Sequence, residues 1–258
     1  MHKPIGIFDS GVGGTSIWKE IVKALPEENT IYLADSKNAP YGEKSKEEII
    51  QLSKKNTRLL IEKGCKIIVV ACNTATTNAI EHLRANFPVP FIGIEPAIKP
   101  AALHTKSKKV GVLATKGTLS SGLFHNTSKL FAEGIEVLER EGTGLVELIE
   151  AGKIDVQETK DLLKTYLGPM LQKGIDCLVL GCTHYPYLIP VLQEILPVHV
   201  TIIDSGEAVA RQTKAVLEKE GLLTPQDITK HVFYSNGDVE VLNSMVNGPK
   251  VEVSNLDF

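Results

Sequence analysis

The sequence has no excess of basic residues and few aromatic ones. Lysine and arginine number 28 against 31 acidic residues, the formal charge is −3, and aromatic residues make up only 5% of the 258 residues. Without a basic surface, the protein has no general electrostatic attraction for nucleic acid or for an anionic membrane. We therefore expect neither nucleic acid nor a membrane among its partners.

Long apolar stretches are missing as well. No run approaches the roughly 18 apolar residues of a membrane span, and residues 1–9 reach an acidic side chain before the apolar stretch of a signal peptide could form. We expect a cytoplasmic protein, in which thiols stay reduced. The 4 cysteines do not resemble a disulfide framework in a chain of this size.

Spacings typical of metal and nucleotide sites are also absent. Cys72, Cys182 and His184 could supply three zinc ligands, but the chain contains no Cys-x-x-Cys pair to support them. The glycines at Gly11, Gly13 and Gly14 are not followed by a Lys-Ser or Lys-Thr pair and do not fit the dinucleotide fingerprint. We expect no metal, and we interpret this turn as a small-ligand or carboxylate loop at a helix N-terminus.

What the sequence does contain is a regular alternation of short apolar runs and amphipathic stretches. This alternation predicts right-handed crossovers and parallel sheets. The predicted strands are 5–8, 30–34, 66–71, 89–94, 110–113, the run that ends at residue 181, 202–203, 231–234 and 250–253. One predicted helix begins near residue 17. The others cover 46–63, 76–85, 124–131, 146–151, 156–167 and 208–219.

Two segments recur in the second half of the chain. Ile5–Ser10 is echoed by Val110–Thr115, a shift of 105 (110 minus 5), and Lys63–Cys72 by Lys173–Cys182, a shift of 110 (173 minus 63). Because internal repetition predicts repeated architecture, we expect an α/β protein with two pseudo-symmetric domains. Each would be a mostly parallel sheet flanked by helices, with the active site in the cleft between them. The expected domains are 1–98 with about 204–258, and 99–203.

Cys72 and Cys182 occupy equivalent positions in this repeat, each at the carboxyl end of a predicted buried strand. Ligands of parallel sheets gather at such strand ends, and a helix N-terminus lowers the pKa of a thiol there. The other two cysteines, Cys65 and Cys177, stand at strand beginnings, where we interpret them as small buried apolar residues. Thiols on both sides of one carbon atom could remove a proton from one face and deliver one to the other.

Other functions compete with this hypothesis. A cysteine hydrolase could use His184 as base with Asp9 or Glu150 orienting it, but it would leave the second thiol unexplained. A non-catalytic amino-acid-binding protein would need neither thiol. In the proton-transfer hypothesis, Asp9 and His184 assist, one beside each thiol.

Four motifs in this order resemble those of the aspartate/glutamate racemase superfamily, and within it the glutamate racemase family. The resemblance covers about residues 5–215. The motifs are Asp9-Ser10-Gly11-Val12-Gly13-Gly14, Ala39-Pro40-Tyr41-Gly42, Ala71-Cys72-Asn73-Thr74-Ala75 and Gly181-Cys182-Thr183-His184-Tyr185-Pro186.

The resemblance implies a cofactor-independent racemase that makes D-glutamate for peptidoglycan and often forms homodimers. Cys72 and Cys182 would be the proton donors and acceptors, with Cys182 acting on the L-enantiomer and Cys72 on the D-enantiomer. A glutamate supporting Cys182 would be Glu150, with Glu147 the alternative because Glu141-Gly142-Thr143 replaces the usual Ala-Cys-Pro upstream. The implied substrate site is lined by Asp9, Ser10, Pro40, Tyr41, Gly42, Asn73, Thr74, Thr183 and His184.

Overall fold

The computed structural model describes residues 3–225 and 228–258. Met1 and His2, which open the stretch used above to exclude a signal peptide, lie outside the described residues, as do residues 226–227 in the tail. The strands are β1 (Ile5–Asp9), β2 (Thr30–Ala34), β3 (Ile67–Val70), β4 (Phe91–Gly93), β5 (Lys109–Ala114), β6 (Glu136–Glu141), β7 (Cys177–Gly181), β8 (Thr201–Ile203), β9 (His231–Ser235) and β10 (Val251–Asn255).

The helices lie between these strands in a nearly regular alternation. They are α1 (Thr15–Ala24), α2 (Lys46–Glu62), α3 (Asn73–Asn86), α4 (Ile98–His104), α5 (Lys116–Leu119), α6 (Gly122–Phe131), α7 (Leu145–Glu150), α8 (Gln157–Gln172), α9 (Ile189–Ile195), α10 (Gly206–Lys219) and α11 (Glu240–Met245). No helix in the described residues is both long and apolar enough to cross a membrane.

The strands form two parallel sheets, which confirms the predicted α/β class. One sheet has six strands in the order β10-β9-β2-β1-β3-β4, and the other has four in the order β6-β5-β7-β8. The central strands β1, β3 and β7 are buried along their whole length. Their near-continuous apolar sequence follows from this burial, because helices cover both faces of a parallel sheet.

The repeat seen in the sequence is a repeat of structure. The order β2-β1-β3-β4 in one sheet has the same pattern as β6-β5-β7-β8 in the other. The helix that precedes β3 and the one that precedes β7 are each followed by a glycine, Gly64 and Gly174, with a left-handed φ of 82°. Only glycine adopts this conformation without steric cost. The carboxyl ends of β3 and β7 are therefore equivalent, and each leads into a cysteine.

The tail extends the first sheet. Strand β9 pairs with β2 in parallel, with His231 opposite Thr30, and β10 pairs with β9. Helix α10 packs against α1 through Val209, Ala210 and Leu217, which lie in the same buried cluster as Ile17 and Ile21. Residues on both sides of the second sheet in sequence thus share one core.

Sequence reasoning did not predict β6 or helices α4, α5, α9 and α11. Strand β6 is an edge strand with the sequence Glu-Val-Leu-Glu-Arg-Glu and no buried residue, so it has no apolar run to mark it. Helix α3 also begins earlier than predicted, at Asn73 rather than Thr76, because the Cys72 sulfur accepts a hydrogen bond from the Ala75 N–H and caps the helix. Asn73 and Thr74 therefore lie in the first helical turn.

Candidate active site

Cys72 and Cys182 line one cavity between the two sheets. Most of the residues expected at the substrate site line it too, but Asp9 does not, and Glu150 lines a neighbouring pocket with Pro40 and Val146. Thr115 and Val146 line the cavity of the two cysteines without having been predicted. The predicted lining residues that the structure brings together are Ser10, Pro40, Tyr41, Gly42, Asn73, Thr74, Thr183 and His184.

Cys72 sits in apolar surroundings with hydroxyl and amide partners. Its side chain is 5% exposed; its sulfur accepts from the Ala75 N–H at 3.4 Å and donates to Ser10 Oγ at 3.8 Å. Burial raises the pKa of this thiol well above its ordinary value, the charge of Asp9 raises it further, and the Ala75 N–H only partly opposes them. The expectation that the helix N-terminus lowers this pKa was therefore wrong, because desolvation outweighs one hydrogen bond.

Cys182 has a charged partner instead. It follows β7 and precedes a short 3-10 helix, Tyr185–Leu188. The expectation that Cys182 lies at the N-terminus of an α-helix was therefore wrong. Its sulfur lies 3.7 Å from His184 Nδ1, and His184 Nε2 lies 2.6 Å from Glu150 Oε1. Sulfur, imidazole and carboxylate thus form a continuous chain of contacts.

The charge of His184 follows from these contacts. Burial alone would lower the pKa of this imidazole, but its hydrogen bonds to Cys182 and Glu150 outweigh burial and hold the pKa well above the ordinary value. An imidazolium beside a sulfur can donate to a thiolate and stabilise it. His184 is therefore suited to keep a proton on its ring while Cys182 acts as a base.

Glu150, rather than Glu147, is the carboxylate that reaches His184. Its Oε1 also accepts from the Val12 N–H at 2.6 Å, and Ser36 Oγ donates to Oε2 at 3.4 Å. Glu147 lines the outer part of the cleft beside Pro40 and Gly42 instead. Because Glu150 touches His184 and not the sulfur, any support it gives Cys182 passes through the imidazole.

The glycine-rich turn after β1 binds carboxylates of the protein itself. A Cβ atom at Gly11 would collide with Glu150, and one at Gly13 would collide with the His184 ring. The Gly14 N–H donates to Asp9 Oδ2 at 2.9 Å. The turn therefore makes room for the Glu150–His184 pair, and its glycines are explained without a bound anion.

Asp9 connects the two halves beneath the cavity. It is fully buried, and its Oδ1 accepts from the Thr183 hydroxyl at 3.2 Å. Burial raises the pKa of Asp9, although the charge of His184 opposes this shift. Within residues 3–225 and 228–258, Asp9 makes no hydrogen bond to a thiol; its charge raises the pKa of the Cys72 thiol.

The side-chain amide of Asn73 has unused hydrogen-bonding capacity. It is 3% exposed and lines the cavity, and neither its Nδ2 nor its Oδ1 has a partner among residues 3–225 and 228–258. A buried amide without partners costs free energy, so a bound polar ligand would satisfy it. Thr74, by contrast, already contacts the Thr115 hydroxyl at 2.8 Å across the cleft.

Tyr41 and Thr115 qualify the predicted lining. The Tyr41 hydroxyl donates to Asp35 Oδ2 at 2.5 Å, so the phenol group faces away from the ligand and its neighbour Gly42 is free to face it. Thr115 was missed, although the repeat contained the signal, since Thr115 is the echo of Ser10.

In the described part of the chain, no cluster of three or more His, Cys, Asp or Glu side chains could hold a metal ion.

Matched parallel sheets, each contributing one thiol to a shared cavity, define an α/β isomerase of the two-thiol kind. The chain belongs to the Asp/Glu/hydantoin racemase family, whose model matches residues 5–213. The resemblance inferred from the motifs is thereby confirmed, over nearly the range expected from them.

Individual relatives agree over almost the whole chain. A glutamate racemase from Herpetosiphon aurantiacus is 45% identical over 242 residues, 94% of this chain and 92% of that protein. The structure of Escherichia coli glutamate racemase in complex with L-glutamate and the activator UDP-MurNAc-ala matches with a TM-score of 0.87 at 34% identity, covering 98% of both chains. A Francisella tularensis glutamate racemase in complex with D-glutamate matches with a TM-score of 0.82 at 28% identity, covering 98% and 97%.

Proposed function

We propose that this enzyme interconverts L-glutamate and D-glutamate by moving a proton at the alpha carbon. The observation that carries the proposal is the presence of Cys72 and Cys182, from equivalent strand ends, in one cavity. The glutamate racemases similar to it, including one that is 45% identical, support glutamate as the substrate. Its product would supply D-glutamate for peptidoglycan.

The two thiols begin the reaction in different states. Cys182, paired with His184, is the base that takes the alpha proton of L-glutamate, and the C–H electron pair stays on the carbon. Cys72, a thiol whose pKa is raised by burial, donates its proton to the opposite face and becomes a thiolate. One C–H bond breaks and one forms, so the reverse reaction begins with Cys72 as base and acts on D-glutamate.

Polar groups around the cavity would hold the substrate. We assign the free carboxamide of Asn73 to a substrate carboxylate or ammonium group, because it is buried and has no partner among the described side chains. Ser10, Thr74, Thr183 and the backbone at Gly42 offer further donors at the same cavity. Preorganised donors of this kind stabilise charge that develops on the carboxylate as the proton leaves. The buried charge of Asp9 favours the substrate ammonium.

The proposal has three further parts. The composition of the sheets supports domains of residues 1–98 with about 204–258 and of 99–203, since β9 and β10 join the first sheet. The family resemblance supports a homodimer. A reduced, cytoplasmic setting is supported by the free thiol state of Cys72 and Cys182, because the mechanism needs both as thiol or thiolate.

The test of this function is the loss of optical activity from L-glutamate. Enzyme with no added cofactor should bring the circular dichroism signal of L-glutamate to zero, the value of an equal mixture of enantiomers. L-Aspartate, one methylene shorter, should react at least about tenfold more slowly, because the missing group weakens binding in a fitted pocket. An unchanged signal with L-glutamate, or a faster loss with L-aspartate, would refute the assignment.

A further inference from the structure

The tail after residue 221, to which no sequence motif assigns a role, reaches the wall of the cavity. Asn236 directly follows β9, is only 2% exposed, and donates its backbone N–H to the Ala34 carbonyl at the end of β2 at 3.3 Å. The pairing of β9 with β2 therefore delivers this side chain to the start of residues 35–43. We call residues 35–43 the cleft loop. This loop includes Pro40, Tyr41 and Gly42, which line the cavity.

The Asn236 carboxamide bridges two points of the cleft loop. Its Nδ2 donates to Asp35 Oδ1 at 2.5 Å, and its Oδ1 accepts from the Lys37 N–H at 3.0 Å. One side chain thus uses its donor and its acceptor on the same loop. The next residue packs closely too, since a Cβ atom at Gly237 would lie 2.9 Å from the Cβ of Ser36.

Asp35 transmits this contact to the cavity. It is fully buried, and its second oxygen accepts from the Tyr41 hydroxyl at 2.5 Å. Tyr41 and Gly42 line the cavity, so the position of Asp35 sets the position of backbone that meets the ligand. The loop also reaches the other half of the cleft, where Ser36 Oγ donates to Glu150 at 3.4 Å.

We propose that Asn236 is a positioning residue for substrate binding, which acts through Asp35 and Tyr41 on the loop that forms one wall of the cleft. This inference rests on the proposed glutamate racemisation. It gives the tail a role in the reaction, because a strand remote in sequence fixes the geometry of the substrate pocket. Residue 236 needs a side chain with both a donor and an acceptor, since only such a group can satisfy Asp35 and the Lys37 N–H together.

The first test replaces the carboxamide. Asn236→Ala should raise KM for glutamate about tenfold, the equivalent of one lost net hydrogen bond, while kcat changes by less than about threefold because both thiols keep their partners. Asn243→Ala is the matched control, because Asn243 is an exposed asparagine on α11 of the same tail. It should leave both constants and the melting temperature unchanged.

The second test uses Asn236→Asp, which has the shape of asparagine. In its acid form the new side chain keeps a donor and an acceptor, whereas its ionised form places a second carboxylate against Asp35. The titratable groups that face Asp35 in the described residues are Tyr41 and Lys55, whose Nζ lies 3.3 Å from Oδ1. The Phe258 oxygen also faces this pair, since it accepts from Asn236 Nδ2 at 3.4 Å and from Lys55 Nζ at 3.1 Å. Tyr41 keeps its proton, because burial and Asp35 raise its pKa well above the ordinary value. KM of the variant relative to the parent should therefore fall towards one as the pH is lowered.

Several results would overturn the inference. An unchanged KM in Asn236→Ala, a fall in kcat alone, or a pH-independent KM ratio in Asn236→Asp would each do so, provided that the parent enzyme is active. If Asn236→Ala does not fold, the Asn236→Asp ratio decides, and failure of both variants to fold would assign Asn236 to stability only. An inactive parent would refute the proposed function itself, which distinguishes the two failures.

Discussion

The ends of β3 and β7 occupy the same place in two sheets of the same strand order, yet they surround their thiols differently. Cys72 has a hydroxyl and one backbone N–H as partners, and burial raises its pKa. Cys182 has the imidazole of His184, whose pKa is raised by its hydrogen bonds to Cys182 and Glu150. The repeat therefore places the two cysteines in equivalent positions, but the side chains around them give the two thiols different electrostatic surroundings.

This difference suits a reaction that needs an acid and a base at once. Two equivalent thiols in a buried cavity would compete for the same protonation state, and no fixed pair of acid and base would result. In the proposed mechanism, Cys72 begins as a thiol because burial raises its pKa, and Cys182, beside His184, begins as the base that acts on the L-enantiomer. One turnover would exchange these states, and the enzyme would then act on the D-enantiomer.

Removal of either thiol should have the largest effect. Cys72→Ser and Cys182→Ser should each lower kcat for racemisation by about a thousandfold or more, because a serine hydroxyl is far too weak an acid for either role. The rate of optical-activity loss from each enantiomer measures this effect. Substantial activity in one of the two variants would show that a single base is sufficient.

The imidazole that distinguishes the two ends should come next. His184→Asn should lower kcat/KM roughly 100-fold, since the charged partner of Cys182 is lost. The two enantiomers have equal free energy, so kcat/KM must fall equally in both directions, and only kcat and KM taken separately can reveal which thiol is affected. Equal changes of kcat from L-glutamate and from D-glutamate would contradict the assignment of His184 to Cys182 alone.

The same histidine should couple stability to pH. Its pKa is raised in the fold, so its contribution to stability is complete below about 6.5, the ordinary histidine value, and is lost as the pH rises through the raised folded-state pKa. The difference in melting temperature between the parent and His184→Asn should therefore shrink in alkaline solution. A difference that grows with pH would mean that His184 is neutral in the fold.

A smaller effect should follow from overpacking the contact between the halves. A Cβ at Gly117 would lie 2.8 Å from Thr74 Cγ2 and 3.1 Å from the Gly42 carbonyl, whereas one at Gly122 would meet nothing within 4 Å. Gly117→Ala should lower kcat/KM about tenfold because overpacking of this kind costs about 1–3 kcal/mol. Gly122→Ala is the matched control, and equal activities in the two variants would refute the importance of this contact.

The smallest effect is expected at the other two cysteines. Burial raises the pKa of Cys65 to about 12 and that of Cys177 to about 11, so both stay protonated thiols. Cys65→Ala and Cys177→Ala should keep kcat within about twofold and cost about 1 kcal/mol of unfolding free energy. Kinetics and urea unfolding measure the two quantities, and a large loss of kcat would make these thiols part of the site.

The sequence identifies the thiols and the lining motifs because both depend on short-range patterns. An apolar run followed by Cys72-Asn73-Thr74, repeated 110 residues later, locates two strand ends without any knowledge of packing. Thr115 carried the same signal through its echo of Ser10. The protonation state of Cys72 could not be predicted this way, because it depends on how much of the chain surrounds the sulfur.

Contacts between segments that lie far apart in the chain could not be predicted from the sequence either. Asn236 lies 201 residues from Asp35 in the chain, and only the pairing of β9 with β2 brings the two together. The choice between Glu150 and Glu147 likewise required the direction in which each side of α7 faces. Such information is carried by tertiary packing rather than by local pattern.

In the proposed mechanism, the proton removed from one face of the alpha carbon is not the proton delivered to the other face. The direct measurement is NMR of L-glutamate with enzyme in D2O during the first few per cent of reaction. Two thiols of opposite state predict deuterium at the alpha carbon of the D-glutamate formed, while the remaining L-glutamate keeps its protium. D-Glutamate that carries the original protium would contradict the account, because one base would then have moved the same proton across the carbon.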